Sequence, residues 1–159
     1  MKNQRENLKI DKTDKQIISL LMQDAMMPYT EIAKKLIVSA GTIHVRMKKL
    51  TESGVVKGTT ANVDISKFGF DLTAYLGVFL EKGSVYEKVI KQLKEIHEVV
   101  EAHYTTGSYS IFLKVICRNT EHLREVLGEK IQSVQGVQRT ETFISLEESI
   151  KRPVKIEYL

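Results

Sequence analysis

Between Thr30 and Gly54 two short apolar repeats follow one another with only three residues between them. In "EIAKKL", Ile32, Ala33 and Leu36 recur at helical spacing; in "SAGTIHVRMKKL", Ile43, Met47 and Leu50 do the same. "IVS" is a tight connection, Ser39 a good N-cap for the second helix, and Gly54 a good stop for it. Thr30 can cap the first helix. Upstream, Asp11 can cap a helix running through Met22, with Ile17, Ile18 and Leu21 on one face. Pro28 cannot donate a backbone hydrogen bond, so "MMPY" interrupts the helical pattern. Two short helices joined this closely have the proportions of a helix-turn-helix.

"VVKGTTANVD" then brings Val, Thr and a central Gly58, a pattern for a small wing of two short strands, or one strand with a turn, followed by a linker strand over 61–71. From residue 72 the pattern alternates. "LTAYLGVFLE" predicts a strand with Ala74, Leu76, Val78 and Leu80 on one face and Tyr75, Gly77 and Phe79 on the other. "SVYEKVIKQLKEIHEV" predicts a helix opened by a capping box, Ser84 with Glu87. "VVEAHYTT" and "SIFLKVIC" predict strands around a "GSY" turn. Asn119 or Thr120 caps a helix through Ile131, and "GVQRTETFISL" predicts the last strand. The order β-α-β-β-α-β is the split, ferredoxin-like arrangement, with helices on one sheet face. The other face carries apolar side chains that need covering, so an oligomer is expected.

Charge separates along the same boundary. Residues 1–62 carry 11 Lys and Arg against 6 Asp and Glu, and residues 63–159 carry 13 against 14. The basic excess thus lies wholly in the helical part, as a polyanion partner would require. No apolar run nears the roughly 18 residues of a membrane helix. The first residues lack the apolar centre of a signal peptide, and the single Cys117 allows no internal disulfide; a cytoplasmic location is expected. The four histidines are scattered without zinc-site spacing, with His97, His103 and His122 read as surface residues, and Cys117 as a small apolar packer. Glu147 and Glu148, adjacent on a strand, would face opposite sides. No nucleophile–base pair and no phosphate-binding glycine motif occurs, so an enzyme is not expected.

These motifs, "LKIDKTDKQIISLL", "VSAGTIHVRMKKLTESGVVKG", "TTGSYS" and "TETFISLEE", in this order and spacing, resemble the Lrp/AsnC group of bacterial and archaeal transcription regulators. "GTIHVR", "YTTGSYSIFLKV" and "KIQSVQGVQRTETFISL" are most similar to its asparagine-responsive branch. The resemblance implies an α+β chain: an N-terminal winged helix-turn-helix (1–60), the linker (61–71) and a C-terminal ferredoxin-like βαββαβ, RAM/ACT-like domain (72–159). It implies homodimers assembling to octamers, double-stranded promoter DNA and a free amino acid as partners, no membrane and no cofactor or metal. It also implies a response to L-asparagine; the alternatives are another amino acid, or a ferredoxin-like small-molecule enzyme.

On the helix from Ser39, a helical projection with Ile43 at the origin spreads Gly41, His44, Val45, Lys48, Lys49 and Glu52 from about 100° to 240°, facing outward. His44 and Thr42 can hydrogen-bond base edges and Val45 can touch a thymine methyl. Lys48 and Lys49 suit phosphates, and Gly41 lets the helix N-terminus approach one. Ser39 is either a cap alone or also a phosphate contact. Arg46 can lay its stem along the core edge while the guanidinium reaches out. Tyr29 and Thr30 are further phosphate candidates, although capping explains Thr30 equally well. For the amino acid, the resemblance points to the hairpin: Tyr104, Thr106, Gly107, Ser108, Tyr109 and Ser110, with Gln132 and the weaker Ile144 and Ser145. Many relatives carry acidic residues where this chain has Ser108 and Ser110. A neutral polar pocket, with Gln132 offering both donor and acceptor, suits a carboxamide side chain.

Overall fold

A computed structural model describes residues 9–156. The chain divides into two compact units, one made of the residues up to Asn62 together with the segment from Ile150, the other of Val63–Ser149. The reading of the first eight residues as leaderless lies outside the described part.

In the first unit α1 (Lys12–Gln23), α2 (Tyr29–Leu36) and α3 (Ala40–Glu52) pack around Ile17, Ile32, Ala33, Ile43, Met47 and Leu50. Ile17, Ile32, Ile43 and Leu50 are wholly buried, each worth about 1.5–3 kcal/mol of transfer free energy. Asp11 caps α1 as expected, within a capping box the sequence reading did not foresee: Asp14 Oδ2 accepts from the Asp11 N–H at 3.1 Å, and Asp11 Oδ1 from the Asp14 N–H at 2.9 Å. Ser39 caps α3, its Oγ accepting from the Thr42 N–H at 3.1 Å.

Thr30 does not cap α2. Pro28 takes that place with extended backbone, its carbonyl accepting from the Glu31 and Ile32 N–H groups, so the helix already begins at Tyr29. The connection between α2 and α3 turns on Ile37, held at φ 56 and ψ 49 with 91% of its surface exposed. The left-handed region costs a β-branched residue about 1–2 kcal/mol, which the buried contacts on both sides offset. The expected wing and linker strands are not formed: 55–62 is irregular and largely exposed, and a 3₁₀ turn, Ile65–Phe68, capped by Asp64, lies where the linker strand was expected. Asp64 Oδ1 accepts from the N–H and hydroxyl of Ser66, a local alternative to a strand ladder. The segment from Ile150 groups with the helices and not with the sheet domain, since Ile156 lines an apolar groove with Ile18, Leu21, Met22, Val55 and Val56.

The second unit is a four-stranded antiparallel sheet in the order β2-β3-β1-β4, with β1 (Leu72–Leu80), β2 (Val99–Tyr104), β3 (Ile111–Cys117) and β4 (Val137–Ile144). This is the expected ferredoxin-like order. Ala74, Leu76, Val78 and Leu80 of β1 and Ile111, Leu113, Val115 and Cys117 of β3 point to the helix layer, where α4 (Tyr86–Leu93) and α5 (Thr120–Glu125) cover them. The Ser84–Glu87 capping box does not form: a 3₁₀ turn, Gly83–Val85, precedes α4, whose N-cap is Val85 with no side-chain bond. α5, capped by Asn119, widens into a π-helical segment, Val126–Ile131. A π turn aligns residues five apart, and Val126 and Ile131 are both wholly buried.

His122 departs from the surface reading. Its side chain is 11% exposed and its Nε2 lies 3.1 Å from Glu98 Oε1, which also accepts from Lys130 Nζ at 2.6 Å. Glu98 is thereby fixed where β2 begins, and its carbonyl accepts from the Ile116 N–H. Burial pushes the Glu98 carboxyl up, but the hydrogen bonds from Lys130, its own backbone and His122 outweigh this and lower it to about 2. A folded value below the ordinary 4.5 means that the contribution to stability is complete above that value and is lost as pH falls through the folded one. Urea midpoints measured from neutral pH downward are therefore expected to fall between about pH 4.5 and 2, and Glu98→Gln to flatten that fall. Equal slopes for the two proteins would show that Glu98 carries none of it.

Candidate functional site

α3 owes its orientation to a carboxylate on another helix. Asp14 is wholly buried, and Arg46 Nη1 reaches its Oδ1 at 2.6 Å and Asp11 Oδ2 at 2.7 Å. The Asp14 backbone N–H and then Arg46 hold the Asp11 carboxyl below its ordinary value, and Asp11 and Asp14 hold the Arg46 guanidinium above its own. The guanidinium is thus turned toward the start of α1, so the expected place of Arg46 at the core edge describes the structure and the expected outward reach of its head does not. Lys49 departs in the same direction: its Nζ donates to the Lys9 carbonyl at 3.3 Å and stands 3.9 Å from Asp14 Oδ2.

What remains outward on α3 is narrower than the sequence set. His44 and Val45 are exposed, Val45 at 72%. Lys48 is exposed and loosely paired with Glu52 at 3.8 Å, a contact worth a few tenths of a kcal/mol. Gly41 is exposed near the helix start, and Thr42 is half-buried with its hydroxyl 2.9 Å from that of Ser39. The His44 ring meets Tyr29 edge-on at 4.8 Å, joining the start of α2 to the outward face of α3; Thr30 beside it is exposed. The sequence marks Asp11 only as a cap and leaves Asp14 unread, although "DKTD" places two carboxylates at i and i+3 across a helix start, the spacing of a capping box.

In the sheet domain the β2–β3 hairpin is held from within. Thr105 Oγ1 donates to the Tyr109 carbonyl at 2.8 Å, the Thr105 N–H to the Ser110 carbonyl at 3.1 Å, and the Ser110 N–H to the Val78 carbonyl at 3.0 Å. Gly107 stands at φ 107, which a side chain would strain, and Thr106, Gly107 and Ser108 are exposed at the tip. Tyr104 packs on Tyr86, ring centres 4.2 Å apart. Tyr109 leaves the tip and donates its hydroxyl to Glu141 Oε2 at 2.7 Å on β4. That bond raises the phenol's pKa; Arg139 first, and Tyr109 second, lower that of Glu141.

Gln132, just past the π-helical segment, donates from Nε2 to Thr140 Oγ1 at 2.9 Å. Thr140 pairs with Val78, and Val78 with Ile111, so Gln132 and the hairpin belong to one end of the sheet. Ile144 pairs with Ala74 and the Ser145 N–H bonds the Thr73 carbonyl, four to five residues further along β1. At about 3.3 Å per residue the two groups are more than 10 Å apart within one chain. The expected effector set is therefore not gathered by a single chain.

Two family models match: a winged helix-turn-helix DNA-binding domain over residues 10–57 and the Lrp/AsnC ligand binding domain over residues 73–154. The chain is similar to the regulatory protein AsnC of Haemophilus influenzae, 48% identical over 92% of this chain and 97% of that one. The solved structure of Escherichia coli AsnC superposes with a TM-score of 0.87 at 40% identity, covering 92% of this chain and 98% of that one. A transcriptional regulator of Neisseria meningitidis in complex with L-Met shares the fold, with a TM-score of 0.85 at 20% identity and coverage of 89% and 93%.

Removing one partner of a buried ion pair leaves the other uncompensated. Arg46→Ala is accordingly expected to cost about 3 kcal/mol of unfolding free energy in the absence of DNA. Chemical denaturation checks this, and an unchanged midpoint would return Arg46 to the outward set.

Proposed function

Because the chain belongs to the Lrp/AsnC family of transcriptional regulators, with a helix-turn-helix and an amino-acid-binding domain, we propose that it reads promoter DNA through α3 and responds to L-asparagine. The exposed face of α3 supports the first part. His44 is the candidate for a base edge, Val45 for a thymine methyl, and Lys48 and the N-terminus at Gly41 for phosphates. Tyr29 and Thr30 flank that face. Ser39 and Thr42 are bound to each other and serve the helix start first; Arg46 and Lys49 act by holding α3 in place.

The hairpin supports the second part. Its tip offers Thr106, Ser108 and the Gly107 backbone, with Ser110 behind them and no carboxylate among residues 104–110. Gln132 lies at the same end of the sheet. A carboxamide ligand can both donate to and accept from such groups, whereas an isobutyl side chain would leave them unpaired. The curated relatives named AsnC point the same way. Ile144, at the far end of β4, and Ser145 just beyond it would join the site only from a second copy, as assembly to dimers and octamers would allow. The half-exposed aromatic face of the sheet is the surface such copies would share.

DNA from the chain's own promoter region is expected to be retarded by the full-length protein, with affinity falling steeply as salt rises. His44→Ala with Lys48→Ala should weaken binding on the order of tenfold to a hundredfold while the unfolding midpoint stays put; indifference to both changes would remove α3 from the interface.

Calorimetry against the twenty amino acids tests the effector separately. L-Asparagine is expected to bind tightest. Preference for leucine, for methionine as held by the Neisseria relative, or for none would sink the asparagine reading and leave DNA recognition standing.

A further inference from the structure

Tyr109 belongs to the hairpin proposed above to hold the amino acid, yet its side chain does not stand among the polar groups of the tip. It crosses the sheet face opposite the helices, lies over β1 and ends on β4, although β3 and β4 are separated by β1 in the sheet order. Gly77 makes that crossing possible. A Cβ at this position would run into the Tyr109 ring, and the obstruction is the body of the ring and not a flexible end. Gly77 is accordingly buried in the middle of a strand where glycine is otherwise unfavourable.

The far end of Tyr109 is fixed in turn. Glu141 Oε2 accepts from the phenol at 2.7 Å, and its Oε1 accepts from Arg139 Nη1 at 2.6 Å. The Arg139 guanidinium stands 3.4 Å above the Phe79 ring, and Phe79 meets Tyr109 edge-on at 5.2 Å. The contacts therefore close on themselves: Tyr109, Glu141, Arg139, Phe79 and back to Tyr109. Phe112 and Phe143 flank the same ring at 6.0 and 6.4 Å. On the backbone side, the Tyr109 carbonyl is bonded by Thr105, and the next residue, Ser110, by Val78, the neighbour of Gly77.

We infer that Gly77, Tyr109 and Glu141 fix the 105–110 hairpin to the sheet, so that Tyr109 positions the loop for its amino acid and is not one of the ligand's contacts. The inference rests on the reading of this hairpin as the effector site. Its consequence is a link between two features that the sequence presents as separate. The ring that orders the hairpin is also part of the aromatic face opposite the helices, so the order of the loop and the packing of that face depend on one side chain.

The test uses the full-length protein and four variants: Tyr109→Phe, Glu141→Ala, Glu141→Gln and Gly77→Ala. Two quantities are read: amide hydrogen exchange of residues 105–110 with no amino acid present, and the calorimetric Kd for L-asparagine. Tyr109→Phe and Glu141→Ala are expected to speed hairpin exchange about three- to tenfold, with β3 core amides unchanged, and to weaken L-asparagine by a similar factor. Gly77→Ala should do more, since the ring itself must leave. Glu141→Gln keeps an oxygen that accepts from the phenol and should recover most of both quantities, whereas a role for the Glu141 charge alone would leave both as in Glu141→Ala. Should Gly77→Ala fail to fold, the Tyr109 and Glu141 variants carry the test. Unaltered exchange in Tyr109→Phe and Glu141→Ala overturns the inference, as does a loosened hairpin with an unchanged Kd. A wild-type protein that binds no amino acid, with variants that still loosen the hairpin, overturns the effector reading and leaves the anchoring of the loop supported.

Discussion

A carboxylate without any exposure is the costliest group in the helical unit, and the unit is arranged around it. Asp14 sits at the third position of α1, where its Oδ2 accepts from the Asp11 N–H and its Oδ1 receives Arg46 from α3. An isolated buried charge would cost several kcal/mol. Removing that cost demands that Arg46 come to it, and Arg46 lies three residues past Ile43 on the same turn of α3. The rotation of α3 about its axis is thus set twice, by Ile43, Met47 and Leu50 from the core and by Arg46 from its rim. Which side chains remain for a partner follows from that rotation and not from a count of basic residues. Of the four basic-looking residues of "HVRMKKL", Arg46 is turned to the rim of the core, Lys49 is exposed but leans toward Lys9 and Asp14, and His44 and Lys48 remain outward.

The sheet domain poses the opposite problem. One face is closed by α4, α5 and the π-helical segment; the other is left with Tyr75, Phe79, Tyr109, Phe112 and Phe143. Within one chain these rings cover one another and part of β1, and Phe143 still keeps 49% of its surface exposed. Gly77 deepens the face enough to seat a ring. A surface this aromatic, crossed by the Arg139–Glu141 pair, is organised before any partner arrives, which lowers the ordering entropy that association would otherwise cost.

Period and caps made most of the architecture legible. The three helices, the core residues Ile17, Ile32, Ile43, Met47 and Leu50, the caps at Asp11, Ser39 and Asn119, and the order of the four strands all follow from spacing that a local rule can read. The failures are equally specific. Ser84 and Glu87 carry the letters of a capping box, but a 3₁₀ turn comes before α4 and moves its start. "VVKGTTANVD" has strand-forming residues without an apolar alternation to bury, so no ladder forms there. Lys49 and the head of Arg46 read as outward cations because their shared partner, Asp14, is 35 and 32 residues away and carries no signal of that pairing in the sequence. Tyr109 reads as a turn residue because nothing in the hairpin reveals that a glycine in β1 has cleared a path for it. Pairings between distant elements decided each of these, and a single sequence shows composition at both ends but not the pairing.

The same long-range pairing bears on how a small ligand could alter DNA affinity. An effector shifts an equilibrium only by its differential affinity for two states. On the proposed reading the amino acid meets a short loop in the sheet domain, remote in sequence from α3, whereas α3 is oriented by its own core residues and by Asp14 within the helical unit. A change in the shape of the reading helix is therefore not needed. The loop shares Tyr109 with the aromatic face, and that face is the surface proposed above for a second copy. Helix-turn-helix dimers recognise half-sites by their spacing, so a ligand that alters how copies pack changes DNA affinity through geometry between subunits. Such coupling would leave the pairing of Asp14 with Arg46 as it stands, and a charge so deeply buried needs that partner.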